Sequence, residues 1–457
     1  MRTLLAIALT LAMGGAAVAD HAPTYVCVAS RATYEHAPWR EVVATLMEKY
    51  TARGAKTVLY RDDVAEALPK LREWHPRYTC FVARPEEATR ELVAQIHELT
   101  RRYDDDPYTD TLWGILTGYD AANALRIARH AEPLVVRRVA AGTQLAMDMV
   151  HEGVWYCELV KNKMVKKEAG GQAKNLTGPD DTTRALAETL TDYRADLFVT
   201  SGHATERDWQ IGFRYRNGQF RSQAGQLYGV PGSGERFPIR SDHPRVYLAV
   251  GNCLMGHIDG PDAMALAWLH SAGVRQMVGY TVPTWFGYAG WGCLDYFVEQ
   301  PGRYSLVEAF FANQHALIDS LERGVGNARG LQFDKNAVAL YGDPGWEARM
   351  ANGPRAFELT LSIEGNLHTL TITPNRGEES FATICTNGSQ RGGRPFVSML
   401  PKRIDPGSVQ LIEGVDLNPV IADDFLLVPL PGRCDPSRAY RVMFRASPAV
   451  PAASHSR

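Results

Sequence analysis

Apolar residues in the first third of the chain gather into short unbroken runs, TYVCVAS, KTVLYR, YTCFVAR and LWGILTG. Between them lie stretches such as WREVVATLMEKYTAR and EEATRELVAQIHELTRRY, where apolar positions recur every three or four residues. Unbroken runs suit strands buried on both faces and the 3.6-residue period suits amphipathic helices, so residues 20–145 predict an α/β subdomain of βαβ units. DAANALRIARHAEPLVVRRVAAG continues the helical spacing and predicts one long helix with Asp120 as its N-cap.

The alternation resumes over 146–352. DDTTRALAETLTDYRA and PDAMALAWLHSAG predict helices, DLFVTSGH, RVYLAVGNC and VRQMVGYTV predict strands, and DWQIGFRYRNGQF predicts a hairpin turning at Asn217-Gly218. A right-handed crossover places the strands at 246–252 and 275–281 in one sheet. YSLVEAFFANQHALIDSLERG reads as a helix, and AVALYGDPGW closes the unit. Over 356–447 the texture changes to short alternating runs, FELTLSI, HTLTITP, FVSML, SVQLIEG, DFLLVPL and YRVMFRA, which predict a small all-β sandwich. SPAVPAASHSR, covering 448–457, reads as a disordered tail.

Composition narrows the classes. At 457 residues, 45% hydrophobic and 22% charged, the chain is globular material for two or three domains, not a disordered or fibrous sequence. Its 49 basic and 51 acidic residues nearly cancel, so nothing marks a nucleic-acid partner or an anionic membrane surface. Residues 1–19 carry Arg2, an apolar core from Leu4 to Met13, and Ala17 and Ala19 before Asp20, the pattern of a signal peptide cleaved near Ala19. The expected product is exported, periplasmic or extracellular, and not inserted in a membrane. Seven cysteines follow the cut, an odd number that leaves at least one thiol unpaired in an oxidising compartment. Cys385 and Cys434 both lie in the β-rich part and could staple it, although pairing does not follow from counting.

Two of the predicted buried strands end in reactive side chains, DLFVTSGH at His203 and RVYLAVGNC at Cys253. Taken singly, a His after a strand is more often structural, and a Cys at the end of an apolar run is more often a small hydrophobe. Jointly they place an imidazole and a thiol on one sheet rim, where open α/β sheets bind ligands and where a thiolate has a base beside it. Gly251 and Gly256 bracket the Cys and permit close backbone approach.

GHATERDW resembles the histidine motif of the gingipain-type cysteine peptidases of the caspase–haemoglobinase clan, with Gly202, His203, Glu206 and Trp209 in the matching places. LAVGNCLMG is similar to that family's nucleophile motif, SAGVRQMVGYTVPTWFG to the block lining its specificity pocket, and YGDPGW to its closing Gly-Asp-Pro. His203 also precedes Cys253 by fifty positions, as in caspases. The resemblance spans 196–346 and implies a caspase-like, mostly parallel sheet flanked by helices, with an N-terminal α/β subdomain and a C-terminal immunoglobulin-like sandwich. It implies a cysteine endopeptidase acting on polypeptides, with Cys253 as nucleophile and His203 as general base and acid. The oxyanion would rest on the N–H groups of Cys253 and Ala204, and Trp285 would stand in the specificity pocket. The family has Gly after the His and this chain has Ala204, which still offers an N–H.

Other readings stay open. Glu206 either orients His203 or braces its loop, and Asp120 is either a rim acid or a helix cap. His203, Cys253, His257 and Asp259 could form a metal site, but mixed soft and hard ligands at irregular spacing make a poor zinc signature. An inactive peptidase-like protein that binds through its sandwich is a third possibility. No cofactor is required, and no EF-hand loop is present to support the calcium that accompanies many secreted folds. Asn175 opens an NLT triplet of little weight as a glycosylation signal. Neither oligomeric state nor cleavage preference follows from the pattern.

Overall fold

The computed structural model describes residues 24–449, so the leader at 1–19 and residues 450–457 of the tail lie outside the described residues. Pro448 and Ala449 are held against Ile404 and Arg403.

Twelve strands form one central sheet. In chain order they are β1 (Tyr25–Ser30), β2 (Lys56–Tyr60), β3 (Tyr78–Val82), β4 (Leu112–Leu116), β5 (Arg138–Ala141), β6 (Glu152–Tyr156), β7 (Lys163–Lys167), β8 (Lys174–Thr177), β9 (Leu197–Gly202), β10 (Arg245–Asn252), β11 (Val274–Tyr280) and β12 (Val338–Gly342). Their spatial order is β2-β1-β3-β4-β12-β11-β10-β9-β5-β6-β7-β8. Two parallel blocks meet at the antiparallel β11–β12 pair. The first block holds β1–β4 and β12, and the second holds β5, β6 and β9–β11. Residue 145 falls between the paired strands β5 and β6.

The inner strands of the second block are buried along almost their whole length, as their unbroken apolar runs require. Helix Tyr288–Phe297, buried throughout, lies directly on β10: a Cβ on Gly290 would stand 2.2 Å from the Val250 carbonyl oxygen. Only glycine permits that approach. Helix Leu306–Glu322 opens with a capping box between Ser305 and Glu308 and packs on the helix before it.

The expected long helix after Asp120 is overturned. Asp120 does cap a helix, accepting the Asn123 N–H at 2.8 Å, but that helix ends at Arg129. Pro133 disfavours helical geometry in the residue before it, and the β-branched LVV and RVAA segments become the short strand Leu134–Val136 and β5. The hairpin expected at 208–220 pairs Asp208–Gln210 with Gln219–Gln223 within a four-stranded antiparallel sheet, but residues 211–218 join the strands as a long loop and the expected tight turn at Asn217-Gly218 does not form.

Beyond Phe357 the chain forms a four-stranded and a three-stranded antiparallel sheet around Leu370, Ile372, Phe396, Leu426, Val442 and Phe444. All seven thiols are free, so the Cys385–Cys434 staple does not form. The two residues are drawn to different surroundings: Cys385 packs with Ala146 and Met149, whereas Cys434 lies beside Ser380 and Tyr440.

Candidate functional site

Five parallel strands of the second block, β5, β6, β9, β10 and β11, end on one edge, and just past those ends stand Thr143, Glu158, His203, Cys253 and Thr284. Strands β9 and β10 pair in parallel, with a bulge that skips Val250 between Thr200↔Ala249 and Ser201↔Gly251, and end at Gly202↔Asn252, so the next residue on each strand is His203 and Cys253 respectively. Paired strands run about 4.8 Å apart, which starts the imidazole and the thiol from adjacent places. Asn252 locks the pair: its amide donates to the Gly202 carbonyl at 3.0 Å and its oxygen accepts from Thr200 Oγ1 at 2.6 Å. The carbonyl of Asn252 in turn accepts from Thr284 Oγ1 at 3.1 Å.

Cys253 is the half-buried member of the seven cysteines; the other six are buried. Burial pushes the Cys293 and Cys385 thiols up to about 12, and raises those of Cys27 and Cys80 as well, which suits packing and not chemistry. The Cys253 Sγ accepts the Thr284 N–H at 3.2 Å, a donor suited to a thiolate. The chain then turns sharply, with Leu254 at φ +57°, and Leu254 N–H and Gly256 N–H donate to Val282 and Tyr280. The sharp turn leaves the thiol at the mouth of the rim.

His203 follows Gly202, which holds φ +95°, a region glycine adopts without strain. Its exposed ring stacks on Phe213, centroids 4.7 Å apart and 27° between planes. Ala204 and Trp209 form an antiparallel bridge in which Thr205 N–H bonds Asp208 and Gln210 N–H bonds His203. In that arrangement the Ala204 N–H points away from its bridge partner. Among the described residues neither the Ala204 nor the Cys253 N–H has a partner within the protein. Ala204 does not hold a positive φ, so its methyl group introduces no backbone strain.

The remaining candidates separate. Glu206 ties down its loop through the backbone, its carbonyl accepting the Met264 N–H at 2.8 Å, and no hydrogen bond joins its carboxylate to His203. Asp120 belongs to a helix whose Asn123 and Arg126 donate to the carbonyls of Leu269 and His270, at the end of the sheet remote from Cys253. Asp259 forms a bidentate pair with Arg207 at 2.5 and 2.8 Å. Among the described residues, His203, Cys253, His257 and Asp259 do not gather donor atoms as a metal site would. Two other groups do, His75 with Asp104 and Asp423, and Asp104 with Asp106 and Asp110, and of these Asp423 already pairs with Arg403.

Trp285, half exposed, stands at a cavity of about 290 Å³ beside the rim, with Gly202, Phe213, Gly251, Thr284 and Trp291. Glu158, which sequence reasoning missed, also lines it. A signal was there: VWYC is another apolar run ending in a charged residue. Asn252 and Thr284 were equally hidden, since their roles depend on pairing between segments.

No family model matches the chain, and no curated protein matches it. A solved structure named "Structure of Protease" is similar over 93% of this chain and 97% of its own, at 8% identity and a TM-score of 0.44.

Proposed function

We infer that the chain is a cysteine endopeptidase of caspase-like fold and gingipain type, exported after removal of residues 1–19. In this assignment 20–145 is the N-terminal α/β subdomain, 146–352 the catalytic unit and 356–447 an immunoglobulin-like sandwich. The observation that carries it is the Gly202↔Asn252 register, with the Asn252 amide on the Gly202 carbonyl, because it sets His203 and Cys253 side by side at a strand-end rim.

The chemistry is acyl transfer. His203 takes the Cys253 proton, and the thiolate, steadied by the Thr284 N–H, attacks the scissile carbonyl. The N–H groups of Ala204 and Cys253 hold the oxyanion as the C–N bond breaks and imidazolium protonates the departing amine. Water activated by His203 then releases the acyl group. The His203 ring rests on Phe213 with no hydrogen bond to the thiol, and the catalytic contact is one that forms with substrate, in keeping with the looser catalytic contacts of unliganded sites.

A mixed peptide library incubated with the mature protein tests the assignment. Wild type is expected to cleave and Cys253→Ala to lose at least about 10³-fold in rate. Equal cleavage by Cys253→Ala would refute a cysteine mechanism, and a folded wild type that cleaves nothing would favour a binding role.

A further inference from the structure

A second cavity, of about 820 Å³, opens at the other end of the central sheet. Its wall includes Asp242 and His243 from the turn into β10 and His270 from the turn into β11, so it lies at the amino ends of the strands whose carboxyl ends lead to Cys253 and Thr284. Arg245 opens β10 and Asn252 closes it, a span of about 23 Å.

Five arginines converge on this cavity. Arg126, Arg194 and Arg240 are exposed on its wall, carried by helix Ala121–Arg129, the loop after helix Thr183–Thr191 and the turn before β10. Arg245 and Arg275 are buried behind the wall, 0% and 7% exposed. Arg245 Nη2 donates to Ser241 Oγ on the wall and to the Leu190 carbonyl, both at 2.7 Å, and Arg275 lies in the field of Arg126 and Asp242. Among the described residues none of the five forms an ion pair with a carboxylate, and Arg245 Nη1 and Arg275 Nε are buried without any partner. Asp242 is the one carboxylate on the wall. Asp196, behind it, is already taken by Arg138 at 3.6 Å and His243 at 2.7 Å. Burial pushes the Arg245 guanidinium down to about 9 and that of Arg275 down to about 10, so holding both charges costs stability that a bound anion restores.

The arrangement narrows the anion. Five guanidiniums against one wall carboxylate leave more positive charge than a single phosphate, at about −1.5 to −2, balances. Guanidiniums bond phosphate and carboxylate oxygens in pairs, but donors arriving from a helix, a loop, a turn and two strands suit the tetrahedral oxygens of phosphate better than the planar pair of a carboxylate. The volume falls within the range of small-molecule sites, about 300–1,000 Å³, and two of the five charges lie behind the wall, beyond reach of a macromolecular surface.

We propose that this cavity binds a small molecule carrying at least two phosphate groups, gripped by Arg126, Arg194 and Arg240 with Arg245 and Arg275 behind them. Such binding needs no peptidase activity, because the cavity and Cys253 stand at opposite ends of β10. Calorimetric titration of the full mature chain with inorganic tripolyphosphate, orthophosphate and citrate tests it. Tripolyphosphate is expected to bind, and orthophosphate and citrate to bind at least about 10-fold more weakly. Arg194 and Arg240 are exposed, so their glutamine variants keep the fold; Arg194→Gln and Arg240→Gln are each expected to weaken tripolyphosphate about 10-fold, the loss of one charge-assisted hydrogen bond. Arg433→Gln, at an exposed arginine of the sandwich, is expected to leave binding unchanged. Failure of tripolyphosphate to bind overturns the proposal, as does citrate binding equally well. Binding that both Arg194→Gln and Arg240→Gln leave intact, or that Arg433→Gln weakens as much, would report diffuse surface charge and overturn it too. Tighter binding of oligothymidylate than of tripolyphosphate would replace the small ligand with a nucleic acid.

Discussion

Two buried carboxylates stand just past strand ends of the central sheet, and they are built differently. Asp343, 1% exposed after β12, has both oxygens satisfied: Oδ1 by Tyr25 at 2.8 Å and the Gly345 N–H at 2.9 Å, Oδ2 by Lys49 at 2.9 Å and Tyr50 at 2.7 Å. Its three side-chain donors, Tyr25, Lys49 and Tyr50, come from β1 and the end of the helix that follows it, so it fastens the closing YGDPGW segment to them. Glu158 has three donors crowded on one oxygen and none on the other. A saturated carboxylate holds a fold together; a half-saturated one carries the cost of an unpaired buried oxygen.

The same acid-to-amide change at each position separates the two roles. Asp343→Asn leaves Lys49, itself mostly buried, without its counter-charge and is expected to cost about 3–5 kcal/mol in urea unfolding. A loss below about 1 kcal/mol would show that the network is not structural.

Asp110 supplies a third case. Burial and the neighbouring Asp104 push its carboxyl up to about 9. The folded state therefore keeps a proton that the unfolded state releases near pH 4, and the resulting stability is lost as pH rises toward 9, by about 1.4 kcal/mol per pH unit. Unfolding at several pH values between 5 and 8 is expected to show a flatter decline for Asp110→Asn than for wild type. Parallel declines would place the proton elsewhere.

Gly202→Ala forces a methyl group onto φ +95° and is expected to cost about 1–2 kcal/mol while displacing His203. Activity should fall more than stability explains; unchanged kcat/KM would mean that the turn does not place the imidazole.

The smallest stability effect belongs to Glu158→Gln, below about 1 kcal/mol near neutral pH. Burial raises the Glu158 pKa, so its charge is already disfavoured in the fold. Wild type loses stability as pH rises from the ordinary carboxylate range through that raised value, and the amide is expected to lack this loss. A destabilisation as large as that of Asp343→Asn would erase the distinction between the two carboxylates.

What was legible in the sequence follows the same division. His203 and Cys253 end unbroken apolar runs, a pattern made by local burial, and the alternation of runs and helical stretches conveyed the α/β character. The stretch after Asp120 misled because helical spacing persisted through Pro133 into β-branched residues that pair with distant strands. Glu158 was obscured because its partners Thr143, Ser201 and Asn387 come from three separated segments. Thr284 likewise meets Cys253 only when the ends of β10 and β11 lie side by side. The supposed Cys385–Cys434 link failed because proximity in a β-rich segment is not proximity in space.

Active-site labelling tests directly whether Cys253 is the nucleophile. The mature chain would be treated with peptidyl acyloxymethyl ketones of mixed sequence and the modified residue found by peptide mapping. A single adduct on Cys253, formed at least about 100-fold more slowly in His203→Ala, is the predicted result. A folded protein left unmodified, or one modified at another cysteine, would contradict it.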